Sequence, residues 1–306
     1  MLPSAASTTG GTTAAPFGHL LTAMITPFGP DGAVDFGRVW DLAYHLVDTG
    51  SDGIVVAGTT GESPTLSDEE KVALYRTVVE AVGGRARVVA GTGTYDTAHS
   101  VEMTRRAAEV GCHGVLAVTP YYNRPSQAGL VAHFQAMADA SDLPVMLYNI
   151  PARTGRRIEV ETLARLAAHP RIVAVKDAVG ELAFTTETVA AAGDGLAVYS
   201  GDDVNTLPIM AVGGVGVVSV ASHLAGRQVK QMLEATLAGD LAEARRLHLA
   251  LAPLCRALFL EPNPMPVKAA MDELWAPVGD PRLPLVRASA ATVDAVREAL
   301  AVAQRA

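Results

Sequence analysis

Cysteine is scarce in this chain: Cys112 and Cys255 are the only two in 306 residues. Two cysteines that far apart build neither a disulfide framework nor a metal knuckle, so a reducing, cytoplasmic setting is expected. Positive charge is also in the minority. Against 32 Asp and Glu there are 24 Lys and Arg, a formal net charge of −8, which argues against nucleic acid as a partner. No run of about 18 apolar residues occurs, so no membrane span is expected. Residues 3–16 are all small or turn-forming, without a basic n-region or an apolar h-region. Residues 1–16 therefore read as a loose tail and not as a secretory signal. What the chain has in quantity is apolar side chains, 49% of the total, ample for a large core.

The stretch with the sharpest chemistry is Ile172-Val173-Ala174-Val175-Lys176-Asp177-Ala178, between Pro170 and Gly180. It is β-branched, apolar and bounded by turn residues, so it reads as a short buried strand. Side chains alternate along a strand, which places Lys176 on the same face as Ile172 and Ala174. A lysine on an apolar face is costly as a cation. Burial lowers its pKa and frees the neutral amine that a Schiff-base nucleophile needs. The plainer reading is a lysine that reaches water at the strand end or pairs with Asp177.

Seven further runs resemble that strand: 20–28, 53–58, 87–93, 114–120, 144–150, 196–203 and 214–220. Most are separated by amphipathic helical segments at a period of roughly 30 residues, which predicts an α/β fold, a (β/α)8 TIM barrel over residues 17–235. Helix spacing is clear at Phe36, Val39, Trp40, Ala43, Leu46 and Val47, and Ser67-Asp68-Glu69-Glu70 has the form of a capping box. Only residues 205–212 are available as helix between the last two strands. A doubly wound open sheet is the alternative, but the turn after the first strand, Thr26-Pro27-Phe28, is not Gly-rich. Helical segments at 228–239, 241–260, 267–274 and 292–304 exceed what a barrel needs. They predict a C-terminal helical extension over 236–306 that covers the barrel or makes subunit contacts.

In such a barrel the catalytic groups stand at the C-terminal ends of the strands. Those ends hold Thr59 and Thr60, Tyr121 and Tyr122, Tyr148, Lys176 and Gly201-Asp202-Asp203. Most are hydroxyls around one lysine. They offer no metal triad. Each has a structural alternative: a core tyrosine for Tyr148, local turn bonds for the threonines, interface aromatics for Tyr121 and Tyr122. Asp202 and Asp203 fit a turn or a helix cap better than a cation site. Arg153, in a Pro-x-Arg-Thr-Gly turn just past Tyr148, brings a guanidinium to the barrel mouth, where it suits a carboxylate.

Gly58-Thr59-Thr60-Gly61-Glu62, Thr119-Pro120-Tyr121-Tyr122-Asn123, Tyr148 through Gly155, Val175-Lys176-Asp177, Ser200-Gly201-Asp202-Asp203 and Glu261-Pro262-Asn263-Pro264 follow one another. In this order the chain resembles the dihydrodipicolinate synthase family. That family lies within the pyruvate-dependent class I aldolases, beside N-acetylneuraminate lyase, and the likeness covers nearly everything beyond the tail. The resemblance implies that Lys176 condenses with pyruvate, and that the resulting enamine attacks L-aspartate 4-semialdehyde on the route to diaminopimelate and lysine. It implies a proton relay of Thr59, Tyr148 and Tyr122, with Tyr122 reaching a neighbouring subunit's site. Thr60 would hold the pyruvate carboxylate and Arg153 the semialdehyde carboxylate. Gly201, Val218 and Asn263 would line the substrate. It further implies no metal or organic cofactor, and a homotetramer built as a dimer of dimers. The chemistry agrees with the residues: an iminium makes the methyl protons of pyruvate removable at neutral pH, so positioned hydroxyls suffice to move protons.

One departure bears on regulation. Lysine-inhibited members of the family carry histidines after the Gly-Thr-Thr-Gly-Glu loop, and Asn and Glu after the third strand. Here Asp68, Lys71, Tyr95 and His99 stand at those places, although Ser63 and Tyr121 remain. Lysine feedback is expected to be weak or absent. Two rival readings are a retro-aldol lyase acting on N-acetylneuraminate or a 2-keto-3-deoxy sugar acid, and a non-catalytic keto-acid-binding homologue. Arg153 argues against the first, because a sugar presents hydroxyls where the semialdehyde presents a carboxylate. The intact lysine and relay argue against the second.

Overall fold

A computed structural model describes residues 14–306. Residues 1–13, most of the expected tail, lie outside the described residues. The strands are β1 (Leu20–Ala23), β2 (Gly53–Val56), β3 (Arg87–Gly91), β4 (Gly114–Val118), β5 (Val145–Asn149), β6 (Ile172–Asp177), β7 (Ala197–Ser200) and β8 (Gly216–Ser219). Each pairs in parallel with the next and β8 pairs with β1, so the sheet closes on itself. Between and after the strands run α1 (Phe36–Asp48), α2 (Asp68–Val82), α3 (Thr97–Val110), α4 (Gln127–Ala138), α5 (Pro151–Thr154), α6 (Val160–Leu166), α7 (Leu182–Ala192), α8 (Thr206–Ala211) and α9 (Ser222–Leu237). The expected (β/α)8 barrel is what forms, down to the six-residue α8 in the short last unit.

Both faces of the sheet are buried, which is why the strands read as continuous apolar runs. Inward-pointing Leu21, Val55, Val89, Leu116, Met146 and Val218 fill the barrel. Outward-pointing Leu20, Ile54, Val88, Val115, Leu147 and Val217 meet the helices. Each such side chain contributes about 1.5–3 kcal/mol by leaving water. The capping box at α2 is present: the Ser67 hydroxyl accepts from Glu70 N–H, and the Glu70 carboxylate accepts from Ser67 N–H. At the N-terminal end of the barrel, Phe17 is fully buried against the start of β4. That end is plugged, and the opposite end is left to carry a site.

The alternation in β6 departs from the expectation. The β5–β6 register shifts between Val145 and Met146, so Val145 pairs with Ile172 but Met146 with Ala174. The extra residue is Val173, a bulge. It turns Ile172 to the helix side and lets Val173 touch the barrel interior. Ala174 and Lys176 still share the inward face; Ile172 does not. The bulge thus sets the phase in which Lys176 points into the barrel.

After β8, the helix begins at Ser222 rather than near residue 228, with a kink at Ala225 (φ −128°). Beyond it lie α10 (Leu241–Ala257), α11 (Met265–Leu274) and α12 (Ala290–Ala303). α10 packs on α9 and α12, which ties these helices to the barrel.

Candidate active site

Lys176 is the penultimate residue of β6, 5% exposed, and lies opposite Tyr148 of β5 in the ladder. Its Nζ stands 4.3 Å from the centroid of the Tyr148 ring. Burial lowers its pKa to about 8; the negative charge of Asp203 opposes that fall, and the Arg153 guanidinium adds to it. The plainer reading, a pair with Asp177, is not what forms. Asp177 points to the other face, where its carboxylate accepts from Thr185 Oγ1 at 2.6 Å and from Val179 N–H at 3.0 Å.

Tyr148 is also buried, and burial pushes its phenol up to about 12 against the pull of the Arg153 charge and a hydrogen bond with Thr59. A phenol so held stays protonated and can hand a proton on and take it back. Tyr148 lines a cleft of about 190 Å³ at the C-terminal end of the barrel. Gly58, Thr59, Ser63, Tyr121 and Arg153 share its wall. The cleft therefore gathers Thr59, Tyr148 and Arg153, with Lys176 behind the Tyr148 ring.

The Thr59–Thr60 loop is shaped by its backbone. Ala57 and Glu62, on either side, both have left-handed φ angles, 52° and 57°. Non-glycine residues held so are typical of sites where position matters more than local comfort. Gly61 sits in tight space: a Cβ there would lie 3.0 Å from the Met24 carbonyl oxygen and 3.1 Å from the Ala57 backbone, so the neighbouring main chain would have to give. Thr60 is buried, and its hydroxyl accepts from Asn263 Nδ2 at 3.0 Å. Asn263 in turn receives Arg153 Nη2 on its carbonyl at 3.4 Å, while its own Oδ1 is buried without a partner. Thr60, Asn263 and Arg153 thus form one chain of contacts at the mouth.

The remaining predicted residues divide. Val218 is buried in the barrel interior with Tyr148. Gly201 donates its N–H to the Asp177 carbonyl at 2.7 Å, and a Cβ on it would come within 2.8 Å of Ala178, so only glycine fits between these strand ends. Asp202 caps the short turn after β7, accepting from Val204 N–H, and Asp203 accepts from the Ser219 hydroxyl and from Val220 and Ala221 N–H. Asp202 takes the capping role expected of it, whereas Asp203 reaches across to the end of β8 instead of capping the helix that follows it. Tyr122 is not part of this cleft. It is 93% exposed, at φ 67°, on the loop after β4, while its neighbour Tyr121 lines the wall and packs edge-on against Tyr95.

Three residues near the site were not singled out from the sequence: Glu62, Lys268 and Arg282. The Lys268 ammonium donates to Glu62 Oε1 at 2.7 Å, with both side chains essentially free of solvent. Arg282 N–H donates to Glu62 Oε2 at 2.8 Å. The available signal was Lys268 itself, set in the apolar run Met265-Pro266-Val267-Lys268-Ala269-Ala270-Met271. A cation there has no water to reach and needs a buried partner.

A closed parallel barrel with a buried lysine at its C-terminal end that forms no ion pair among the described residues, faced by a tyrosine and flanked by a threonine loop, defines a class: a barrel of the Schiff-base aldolase kind. Comparison with known proteins narrows it. The model of the dihydrodipicolinate synthetase family matches residues 16–303, and the chain belongs to that family. A curated relative from Heliobacterium modesticaldum, named 4-hydroxy-tetrahydrodipicolinate synthase, is 54% identical over 92% of this chain and 94% of its own. The crystal structure of a dihydrodipicolinate synthase from Bacillus anthracis superposes with a TM-score of 0.90 at 47% identity, covering 93% of this chain and 98% of that one. A dihydrodipicolinate synthase from Cyanidioschyzon merolae, solved with lysine bound, gives 0.92 at 46% identity over 94% and 99%.

Proposed function

We propose that this chain is a lyase of the 4-hydroxy-tetrahydrodipicolinate synthase type, with Lys176 as its nucleophile. The neutral Lys176 amine adds to the pyruvate carbonyl and water leaves, giving an iminium. Loss of a methyl proton turns it into an enamine, whose carbon attacks the aldehyde of L-aspartate 4-semialdehyde. The amino group of the adduct then displaces Lys176 as the ring closes. Tyr148 and Thr59 carry protons to and from the reacting centre, Thr60 holds the pyruvate carboxylate, and Arg153 receives the carboxylate of the semialdehyde. Gly201, Val218 and Asn263 shape the wall. No resident cofactor enters this scheme, because the iminium is itself the electron sink.

The observation that carries the reading is the state of Lys176: buried, inward, beside a tyrosine ring and shifted by burial toward the free amine. The exposure of Tyr122 suits a side chain that completes a neighbour's site, and supports a homotetramer assembled from tight dimers. Two buried, unpaired cysteines fit a cytoplasmic setting, and none of the described helices is long and apolar enough to cross a membrane. We read residues 17–235 as the barrel and 236–306 as its helical extension.

The test is pyruvate consumption with L-aspartate 4-semialdehyde, run beside N-acetylmannosamine and glyceraldehyde as rival acceptors. Consumption with the semialdehyde alone is expected. Consumption only with a sugar aldehyde would overturn the assignment of Arg153, and failure of borohydride to trap pyruvate on Lys176 would overturn the mechanism.

A further inference from the structure

Glu62 occupies an unfavourable backbone region immediately after Thr59-Thr60-Gly61. Its N–H donates to the Thr59 carbonyl at 3.1 Å, so where Glu62 sits sets where Thr59 sits. Its side chain is held at both oxygens from the C-terminal extension: Oε1 by Lys268 Nζ at 2.7 Å and Oε2 by Arg282 N–H at 2.8 Å. The Arg282 guanidinium reaches further along the same segment, donating to the Thr65 carbonyl at 2.7 Å and to the Glu70 carboxylate. Phe28 packs against both cations, its ring centroid 3.8 Å from Lys268 Nζ and 4.4 Å from Arg282 Cζ. On the other side of the loop, Asn263 grips the Thr60 hydroxyl. Residues 60, 62 and 65 of one loop are thus all fixed by residues more than 190 positions away.

A fully buried ion pair is a poor device for stability, since well-packed apolar residues often do as well. It is a good device for fixing a carboxylate, and with it a backbone, in one position. We propose that Glu62, Lys268 and Arg282 form a latch by which the C-terminal extension positions the Thr59–Thr60 loop for pyruvate. Glu62 and Lys268 are then positioning residues that act through Thr60; the inference rests on the reading of Thr60 as the group that holds the pyruvate carboxylate.

The experiment is a cycle on the whole enzyme at 25 °C, with folding checked by circular dichroism: Lys268→Met, Glu62→Gln, Thr60→Val and the double variant Thr60→Val with Lys268→Met. Thr60→Val is expected to raise KM for pyruvate. Lys268→Met is expected to raise it about tenfold, the worth of one lost charge-assisted hydrogen bond, while KM for the semialdehyde stays within about twofold. In the Thr60→Val background the same change should add less than about threefold, because the group being positioned is gone. Glu62→Gln keeps the shape and the bond to Arg282 N–H but turns an amide NH2 toward the Lys268 ammonium, so it too should raise the pyruvate KM, and it decides the matter if Lys268→Met does not fold. A lower melting temperature with unchanged KM values in Glu62→Gln and in any folded Lys268→Met would make the latch merely structural and overturn the proposal. So would a full tenfold rise persisting in the Thr60→Val background. If Thr60→Val itself leaves KM unchanged, the reading of Thr60 falls and the latch with it; if Thr60→Val raises KM and neither latch variant does, the latch alone falls.

Discussion

Lys176 should weaken the fold that holds it, and the size of that effect follows from its surroundings. In the unfolded chain its amine has the ordinary value of 10.5, and in the folded protein burial brings it to about 8. At a pH well below both values the difference corresponds to about 3 kcal/mol of lost stability, at about 1.4 kcal/mol for each tenfold change in proton affinity. The penalty is fully present below pH 8. It declines as the pH rises from about 8 toward 10.5, where the unfolded chain also releases the proton, and it is absent above that range. Lys176→Met keeps the length and apolar stem of the side chain and removes the charge. In thermal melts at pH 7 this variant should therefore be more stable than the unmodified protein, by about 5 °C for a chain of this size. The gap should narrow progressively as the melts are repeated between pH 8 and pH 10. The same variant should lose the borohydride adduct and nearly all turnover. A Lys176→Met protein that melts below the unmodified one at pH 7, with a difference that does not change with pH, would refute the argument that burial is what activates this amine.

Replacing Tyr148 with Phe removes the buried hydroxyl from the relay while keeping the ring beside Lys176, and should lower kcat about a hundredfold while leaving pyruvate trapping intact; steady-state rates and borohydride reduction check the two halves separately. Tyr122→Phe should slow turnover, and mixing it with Lys176→Ala subunits should restore part of the activity if each supplies what the other lacks; no recovery despite proven subunit exchange would count against a shared site. Lysine at millimolar concentration should leave more than half of the activity. In the cleft lined by Ser63, Lys71, Tyr95, His99 and Tyr121, the Asp68 carboxylate is already engaged by His99 Nε2 at 2.9 Å and faces Lys71, so an incoming ammonium meets a cation and an occupied carboxylate. Halving of the rate by lysine would refute this prediction.

The barrel was legible because parallel strands buried on both faces leave uninterrupted β-branched runs, and because the segments between them keep a 3.6-residue apolar period. Lys176 was legible for the same reason, as a charge inside such a run. The facing of Ile172 was not. Strict alternation fails where one strand carries an extra residue, and no feature of Ile172-Val173-Ala174 announces that the ladder with β5 slips there. The ties between the extension and the Thr59–Thr60 loop were equally hidden. Lys268 and Glu62 are 206 positions apart, and local pattern reasoning assigns each to its own helix or turn without bringing the two together. Asn263 was named through the resemblance alone; its amide on the Thr60 hydroxyl supplies a physical basis for that choice.

Lys176 and Lys268 together separate what burial does from what makes a nucleophile. Burial brings both Lys176 and Lys268 down to about 8. Lys268 has the Glu62 carboxylate at 2.7 Å and aromatic carbon beneath it, so its proton is held in place by a counter-charge and its amine has no reactant to meet. Among the described residues Lys176 forms no ion pair; its Nζ lies 4.3 Å from the centroid of the Tyr148 ring, and the Asp203 charge acts on it without an ion-pair contact. Desolvation is common to the two sites, and the difference lies in the anion. A close carboxylate would stabilise the ammonium of Lys176 and withdraw the amine from chemistry. The structure instead spends Asp203 on Ser219 and two backbone N–H groups, and turns Asp177 away to Thr185. Both carboxylates next to the reactive lysine are thus committed elsewhere, and that commitment, as much as burial, leaves its lone pair available to a keto acid.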